Sequence, residues 1–271
     1  MKHIDETAVA NEEFWEEEVK KGGGHTLPWL DIDIDQLRRY LRGELGNDRI
    51  VGRKEPRRFL NMSPEDISVL GDIEGKDVLC LSCGGGQQSA VFALLGARVT
   101  VVDITQGQLE GDRKAAVHYG YEVTTIHGDM RDLSCLEADS FDIVYGMTPC
   151  YVPDIREVYT QVARVLRPGG LYHTGLGKPG LFAIEWDGSG YSISKPYCES
   201  VQQRDDGPIE FRHYLDDIFN GLPDSGLLLL RVNDHARYSK PPPDARSGSY
   251  THQNAWIGGG FSIFAKKEKP W

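Results

Sequence analysis

A chain of 271 residues with 39% hydrophobic content carries enough apolar surface for one large domain, or for a domain with an appended cap. Its net charge of −11 repels a phosphate backbone, which argues against nucleic acid as a partner. No run approaches the roughly 18 uninterrupted apolar residues of a membrane-spanning helix, and "LLLL" (227–230) reads as a buried strand. The opening "MKHIDETAVANEEFWEEE" is acidic where a secretory signal would be basic and then apolar, so a soluble, cytoplasmic protein without a membrane partner is expected.

Two helices are expected first. "DETAVANEEFWEEEVKK" has helix-forming composition with a thin apolar stripe, and the glycines at 22–24 stop it. "DIDQLRRYLRGEL" places Ile34, Leu37 and Leu41 on one face. The connection "HTLPWLD" is unusually apolar for an exposed loop. The basic run at 52–58 reads as a solvated loop, and "SPEDISVL" starts a third helix, with Ser63 as N-cap and Pro64 at the first helical position. The helices carry too little apolar surface for a core of their own. Residues 1–75 are therefore expected to form a helical cap or lid on a second unit, residues 76–271.

From residue 76 strands and helices alternate. "DVLCLS", "RVTVVD", "EVTTIHGD" and "SFDIVYG" read as strands. Helices run through "QQSAVFALLG", "TQGQLEGDRKAAVHYG" and "VPDIREVYTQVARVL", the last opened by Pro153, and "RPGG" separates it from the strand "LYHTGLG". Such alternation means βαβ units and a mostly parallel sheet covered on both faces. Beyond it, an insertion at about 180–208 reads as a hairpin, and "IEFRHYLDDIFNGL" as a helix directing Phe211, Leu215, Ile218, Phe219 and Leu222 inward. "LLLLRVNDH" and "GGGFSIFAKKE" read as the final strands, and "SKPPPDARSGSYTHQN" between them as a mobile loop.

The chemistry concentrates in "VLCLSCGGGQQSA", residues 78–90. Its Cys-x-x-C (Cys80, Cys83) lacks a second ligand pair, so no metal site is expected, and five cysteines fit reduced thiols. Small buried cysteines are the better reading. A strand ending in glycines and entering a helix is a ligand loop, because glycine permits tight turns and close backbone approach. Asp103 ends the next strand, where its carboxylate can accept from ribose hydroxyls. To this point a nicotinamide-dependent dehydrogenase and a transferase with a nucleoside cofactor are indistinguishable. "GDMRDL" then sets Asp129 and Met130 at the carboxyl edge beside Asp103, one able to accept from an adenine amine and the other offering a soft apolar face.

The ordered set "VLCLSCGGG", "VVD", "GDMRDL", "SFDIVYG" and "VLRPGG" resembles the class I S-adenosylmethionine-dependent methyltransferases, over residues 76–175. The resemblance implies an α/β, doubly wound, Rossmann-like, mostly parallel seven-stranded sheet with an N-terminal helical cap and a small insertion after the fifth strand. It implies S-adenosyl-L-methionine as cofactor, S-adenosyl-L-homocysteine as product and a small-molecule methyl acceptor. The backbone at Ser82, Gly84 and Gly86 would follow the methionine and ribose, Asp103 would hold the ribose, and Ile104, Asp129 and Met130 would meet the adenine. Tyr145 would sit where the fourth strand meets the transfer site. The family often has an acidic residue where this chain has Cys80, and Gln87 and Gln88 are expected to supply polar contacts instead.

Acceptor-pocket expectations fall on Cys150 and Tyr151 of "YGMTPCYVP", His25 and Trp29 of "HTLPW", and His213 and Tyr214 of "FRHY". Five of the named residues also have a plain structural reading: Asp103 as a strand-end cap, Asp129 in a turn, Met130 and Trp29 in the core, His213 on a helix face. A dehydrogenase on a related fold and a non-catalytic S-adenosylmethionine-binding module are the competing functions. No catalytic base is legible.

Overall fold

The computed structural model describes residues 5–42, 44, 68–146, 149–203, 207–234 and 242–268. Seven strands form the central sheet: β1 (Asp77–Leu81), β2 (Arg98–Asp103), β3 (Val123–His127), β4 (Phe141–Gly146), β5 (Leu166–Gly177), β10 (Leu227–Asp234) and β11 (Gly260–Lys267). Their order is β10-β11-β5-β4-β1-β2-β3. The pairs among β1 to β5 are parallel, and β11 runs antiparallel to both β5 and β10. The expected doubly wound sheet is therefore present, with an antiparallel edge.

Alternation along the strands explains two-sided burial. On β1, Val78 and Cys80 face one core, while Leu79 and Leu81 face the other. The first core takes Phe92 of α3 (Gln88–Leu94) and Leu109 of α4 (Gln106–Tyr119). The second takes Ile155, Val158 and Val162 of α5 (Ile155–Val165), with Ile218 and Leu222 of α6 (Leu215–Asp224). Spacing at i, i+3 and i+7 puts the α5 residues on one stripe. Cys80 and Cys83 are buried free thiols, and among the described residues no cluster could hold a metal ion.

Ahead of the sheet, α1 (Glu6–Lys21) ends where Gly22 adopts φ 69°, a left-handed C-cap. The second helix is α2 (Ile34–Leu41), with Leu37 fully buried. The basic run at 52–58 and the caps expected at Ser63 and Pro64 lie outside the described residues. Of that third helix only residues 68–70 are described, with Leu70 buried.

Five expectations need correction. Asp154 rather than Pro153 opens α5, accepting from the Arg156 N–H at 2.9 Å. "RPGG" lies inside β5: Phe141 pairs with Leu166 but Ile143 with Leu171, so residues 167–170 bulge from a continuous strand. The helix expected from Ile209 starts at Leu215, which is itself exposed. Ile209–Phe211 instead forms β9 and pairs with β8 (Val201–Gln203), so Phe211 belongs to a strand.

Only Leu227 of "LLLL" is buried; Leu228, Leu229 and Leu230 lie exposed on the edge strand, where no neighbour covers them among the described residues. The stretch taken as a mobile loop contains α7 (Tyr250–Trp256), nucleated by Ser249, whose hydroxyl accepts from the His252 N–H at 3.3 Å. The insertion hairpin is real: β6 (Ile184–Trp186) pairs antiparallel with β7 (Tyr191–Ile193).

Candidate active site

The glycine loop leaves β1 through Ser82 at φ 53°, and turns through Gly85 at φ 109° and Gly86 at φ 71°. A Cβ atom disfavours this left-handed region, which is why glycines follow the strand. A Cβ on Gly84 would lie 2.9 Å from Asp103 Oδ2 and 2.7 Å from Gln108 Cβ, and one on Gly86 would overlap the Gly111 carbonyl. The loop backbone therefore rests against α4, at small residues spaced i and i+4, Gly111 and Ala115, while Gly107 a turn earlier meets Glu16 and Val19 of the N-terminal helix.

Two buried carboxylates hold this loop. Asp103 accepts from the Gly84 N–H at 2.9 Å and from the Thr105 N–H at 2.9 Å. Asp112 of α4 accepts from Gly85 N–H at 3.1 Å, from Gly86 N–H at 2.9 Å and from the Ser89 hydroxyl. Burial pushes both carboxyls upward, Asp112 to about 7, with the nearby charge of Asp103 adding to the backbone's failure to compensate fully. The sequence reading missed Asp112. The Gly111 and Ala115 spacing was the available signal for a helix face meeting backbone, and Asp112 stands beside it.

The segment after α1 closes the other side of the loop. Trp29 N–H donates to the Gly86 carbonyl at 3.1 Å, and Gln87 Nε2 donates to the carbonyls of Leu27 (2.8 Å) and Gly24 (3.3 Å). Gln87 thus tethers the cap, while Gln88 opens α3 half-buried. The Trp29 ring packs in the first core and His25 is exposed, so these two do not meet as walls of one pocket. Tyr145 is likewise fully buried, stacked 4.8 Å from His173 with Phe92 edge-on at 5.4 Å. A penultimate strand position whose side chain faces the first core accounts for it.

Beyond the carboxyl end of β3, Asp129 is gripped by Arg131, whose Nε reaches Oδ1 at 3.0 Å and whose Nη2 reaches Oδ2 at 2.5 Å. Ser82 Oγ donates to Met130 Sδ at 3.6 Å, joining the first and third strand ends. The Ile104 carbonyl lies 2.7 Å from His127 Nε2.

Across these strand ends lies α1. Asp5 accepts from Arg131 Nη1 at 2.5 Å, Glu12 meets His127 at 2.9 Å, and Glu16 accepts from Gly107 N–H at 3.0 Å. Buried Asn11 donates to the Ile209 carbonyl at 3.0 Å and accepts from its N–H at 2.7 Å, and Trp15 packs edge-on against Tyr151 at 5.9 Å. None of these α1 residues was expected at the site. The thin apolar stripe of α1 has this reason: its polar side chains bind the top of the sheet.

A second cluster, where acceptor-pocket residues were expected, gathers around the turn Pro149–Tyr151 after β4. His213 is buried, with Nε2 2.9 Å from the Pro149 carbonyl, and burial holds its pKa below the ordinary value. That carbonyl can only accept, so Nε2 carries the proton and Nδ1 is the basic nitrogen. Burial, then the charge of Glu210, pushes the Cys150 thiol well above its usual range, and burial does the same to the Tyr151 phenol. Cys150 is therefore a thiol and not a thiolate. His213 joins Cys150 and Tyr151 at this turn, whereas Tyr214 lies against Tyr197, Cys198 and Arg212.

A family model described as a methyltransferase domain matches residues 78–170. The uncharacterized methyltransferase YbaJ of Bacillus subtilis is 33% identical over 172 residues, covering 58% of this chain and 68% of that protein. A ubiquinone biosynthesis O-methyltransferase of Xanthomonas axonopodis pv. citri is 33% identical over 188 residues, covering 68% and 72%. Geranyl diphosphate C-methyltransferase from Streptomyces coelicolor, solved with Mg2+, geranyl diphosphate and S-adenosyl-L-homocysteine, shares the fold. It superposes with TM-score 0.60 at 15% identity, over 97% of this chain and 98% of that one. A glycine loop and an acidic strand end on this sheet order, together with these relatives, place the chain in the class I S-adenosylmethionine-dependent methyltransferases, as an enzyme using that cofactor.

Proposed function

We propose that the enzyme transfers the methyl group of S-adenosylmethionine to a small molecule held between the Pro149–Tyr151 turn, α1 and the β8–β9 hairpin. The observation carrying this reading is the position of α1. It is pinned at Asn11 to β9 and at Glu16 to the start of α4, with Trp15 against Tyr151. A helix fixed over the strand ends leaves room for a compact acceptor and opposes entry of a folded macromolecule. The acidic side chains Glu12 and Glu16 at the same rim add repulsion toward nucleic acid. The relatives named for ubiquinone biosynthesis and geranyl diphosphate support a small acceptor.

The residues fit the cofactor. The cradle at Gly84 and Gly86 admits backbone where a Cβ would collide, and Asp103 presents a carboxylate already fixed by two N–H donors. Ser82, Gly84, Gly86 and Gln88 would bound its methionine and ribose, Asp103 its ribose hydroxyls, and Ile104, Asp129 and Met130 its adenine. When bound, it supplies an activated sulfonium methyl, so the protein's task is alignment and exclusion of water. Residues 5–42 serve as the cap that does the excluding. His213 Nδ1 takes the proton of an acceptor hydroxyl or amine, since burial keeps the imidazole neutral and the Pro149 carbonyl fixes its tautomer.

The reading is tested by incubating the full chain with methyl-tritiated S-adenosylmethionine and a cell extract separated by size. Label in the low-mass fraction is expected. Label confined to protein or RNA would overturn the small-molecule assignment.

A further inference from the structure

Arg212, immediately after β9, is 3% exposed. Its guanidinium carbon lies 4.3 Å from the ring centroid of Tyr197 and 5.0 Å from that of Tyr214. One Nη donates to the Tyr214 hydroxyl at 3.3 Å, which in turn donates to the Cys198 carbonyl at 3.4 Å. Its Nε is buried and has no hydrogen-bond partner. Among the described residues no carboxylate pairs with Arg212. Arg131 shows the ordinary solution in this same fold, with Asp129 and Asp5 both in contact.

A charge taken out of water without a counter-ion is costly. Two tyrosine faces offset part of that cost through cation–π contact. The Nε donor is left for something else. A planar guanidinium matches a carboxylate through two parallel N–H bonds, and the tyrosine rings hold that plane. The backbone is also fixed, because Arg212 N–H donates to the Ser200 carbonyl at 2.7 Å.

The surroundings connect this group to the acceptor side. The next residue, His213, is bound to Pro149 of the turn after β4. Two residues earlier, Glu210 lies close enough to raise the Cys150 and Tyr151 pKa values. Tyr197, whose ring lies against the guanidinium, is half-exposed.

We infer that Arg212 is the receptor for a carboxylate carried by the acceptor, which makes the substrate a small organic acid. This inference rests on the small-molecule methyltransferase reading and narrows it. The acid's carboxylate supplies the counter-ion that the described residues do not provide, and it orients the acceptor's nucleophilic atom toward the methyl group from a fixed point. Methyl transfer then goes to another atom of the acid, with its proton passing to a base such as His213, or to water.

The test uses the full chain saturated with S-adenosylhomocysteine. Benzoate, salicylate, phenylacetate and hexanoate are each titrated beside their primary amides, by calorimetry. At least one acid is expected to bind at least tenfold more tightly than its amide, and Arg212→Met is expected to erase that preference. Affinity for S-adenosylhomocysteine should stay within about twofold in the variant. Acids no better than amides in the wild type, including neither binding, would overturn the inference, as would a preference surviving in Arg212→Met.

If Arg212→Met fails to fold, Tyr197→Leu removes one ring at a half-exposed position. It should weaken the preferred acid severalfold, and an unchanged affinity counts against the proposal. Methylation of neutral small molecules would sink only the arginine assignment, whereas tritium found solely in macromolecules would sink the small-molecule reading itself.

Discussion

Asp103 Oδ2 accepts a hydrogen bond of 2.9 Å from the backbone N–H of Gly84, nineteen residues earlier and one strand away. The bond fixes the glycine loop to the end of β2, so in the proposed reading one carboxylate both shapes the cradle and faces the cofactor. Asp103→Ala strands the buried Gly84 and Thr105 donors and removes the ribose acceptor. Cofactor binding should weaken by about 1–3 kcal/mol, with a fall in melting temperature. Calorimetry with scanning thermal unfolding checks both, and unchanged affinity would make Asp103 a cap alone.

Asp112 makes the loop responsive to pH. Its folded pKa of about 7 stands above the ordinary 3.8, because burial and Asp103 disfavour the charged form. Stability from the neutral carboxyl is therefore full below 3.8 and is lost as pH rises through about 7. Ser89, Tyr121, Cys80 and Asp103 are the polar and titratable groups that share its surroundings. Asp112→Asn should remove this decline in melting temperature. It should also lower cofactor affinity about tenfold above neutrality, because an amide cannot accept from all three donors. A parallel decline in the variant would contradict this account.

Trp29 is 7% exposed and sits in the first core. Trp29→Ala should cost about 3–5 kcal/mol of stability, the usual consequence of emptying a buried indole site. The variant should melt earlier with and without cofactor. A stable variant that loses turnover alone would instead assign Trp29 to a closing lid.

His213→Gln keeps a donor near the Pro149 carbonyl but loses the basic nitrogen. For a hydroxyl or amine acceptor, kcat should fall by about 10²–10⁴-fold, while affinity for S-adenosylmethionine holds. In the wild type, depression of the His213 pKa by burial keeps kcat on its plateau to a pH below the ordinary imidazole value. A wild-type profile identical to that of His213→Gln would exclude it as base.

The parallel core was legible because its signals are local. Alternation in "DVLCLS" and the stripe of Ile155, Val158 and Val162 each depend on one element's own period. The fold's edges were less so. Leucines at 228–230 read as buried, yet an edge strand lacks the neighbour that would cover them. The "IEF" of 209–211 follows the same apolar pattern as the helix after it, and only its pairing with Val201–Gln203 makes it a strand. Within the site, glycines and strand-end acids have fixed positions relative to the sheet. Asn11, Trp15 and Arg212 do not, since their roles depend on contacts with distant segments: 198 residues separate Asn11 from Ile209.

The central claim is cofactor identity, and one measurement addresses it directly: isothermal titration of the unliganded full chain with S-adenosylmethionine, S-adenosylhomocysteine and NAD in the same buffer. The account predicts saturable binding of both S-adenosyl compounds and none of NAD. Saturable binding of NAD with no heat from either S-adenosyl compound would contradict it.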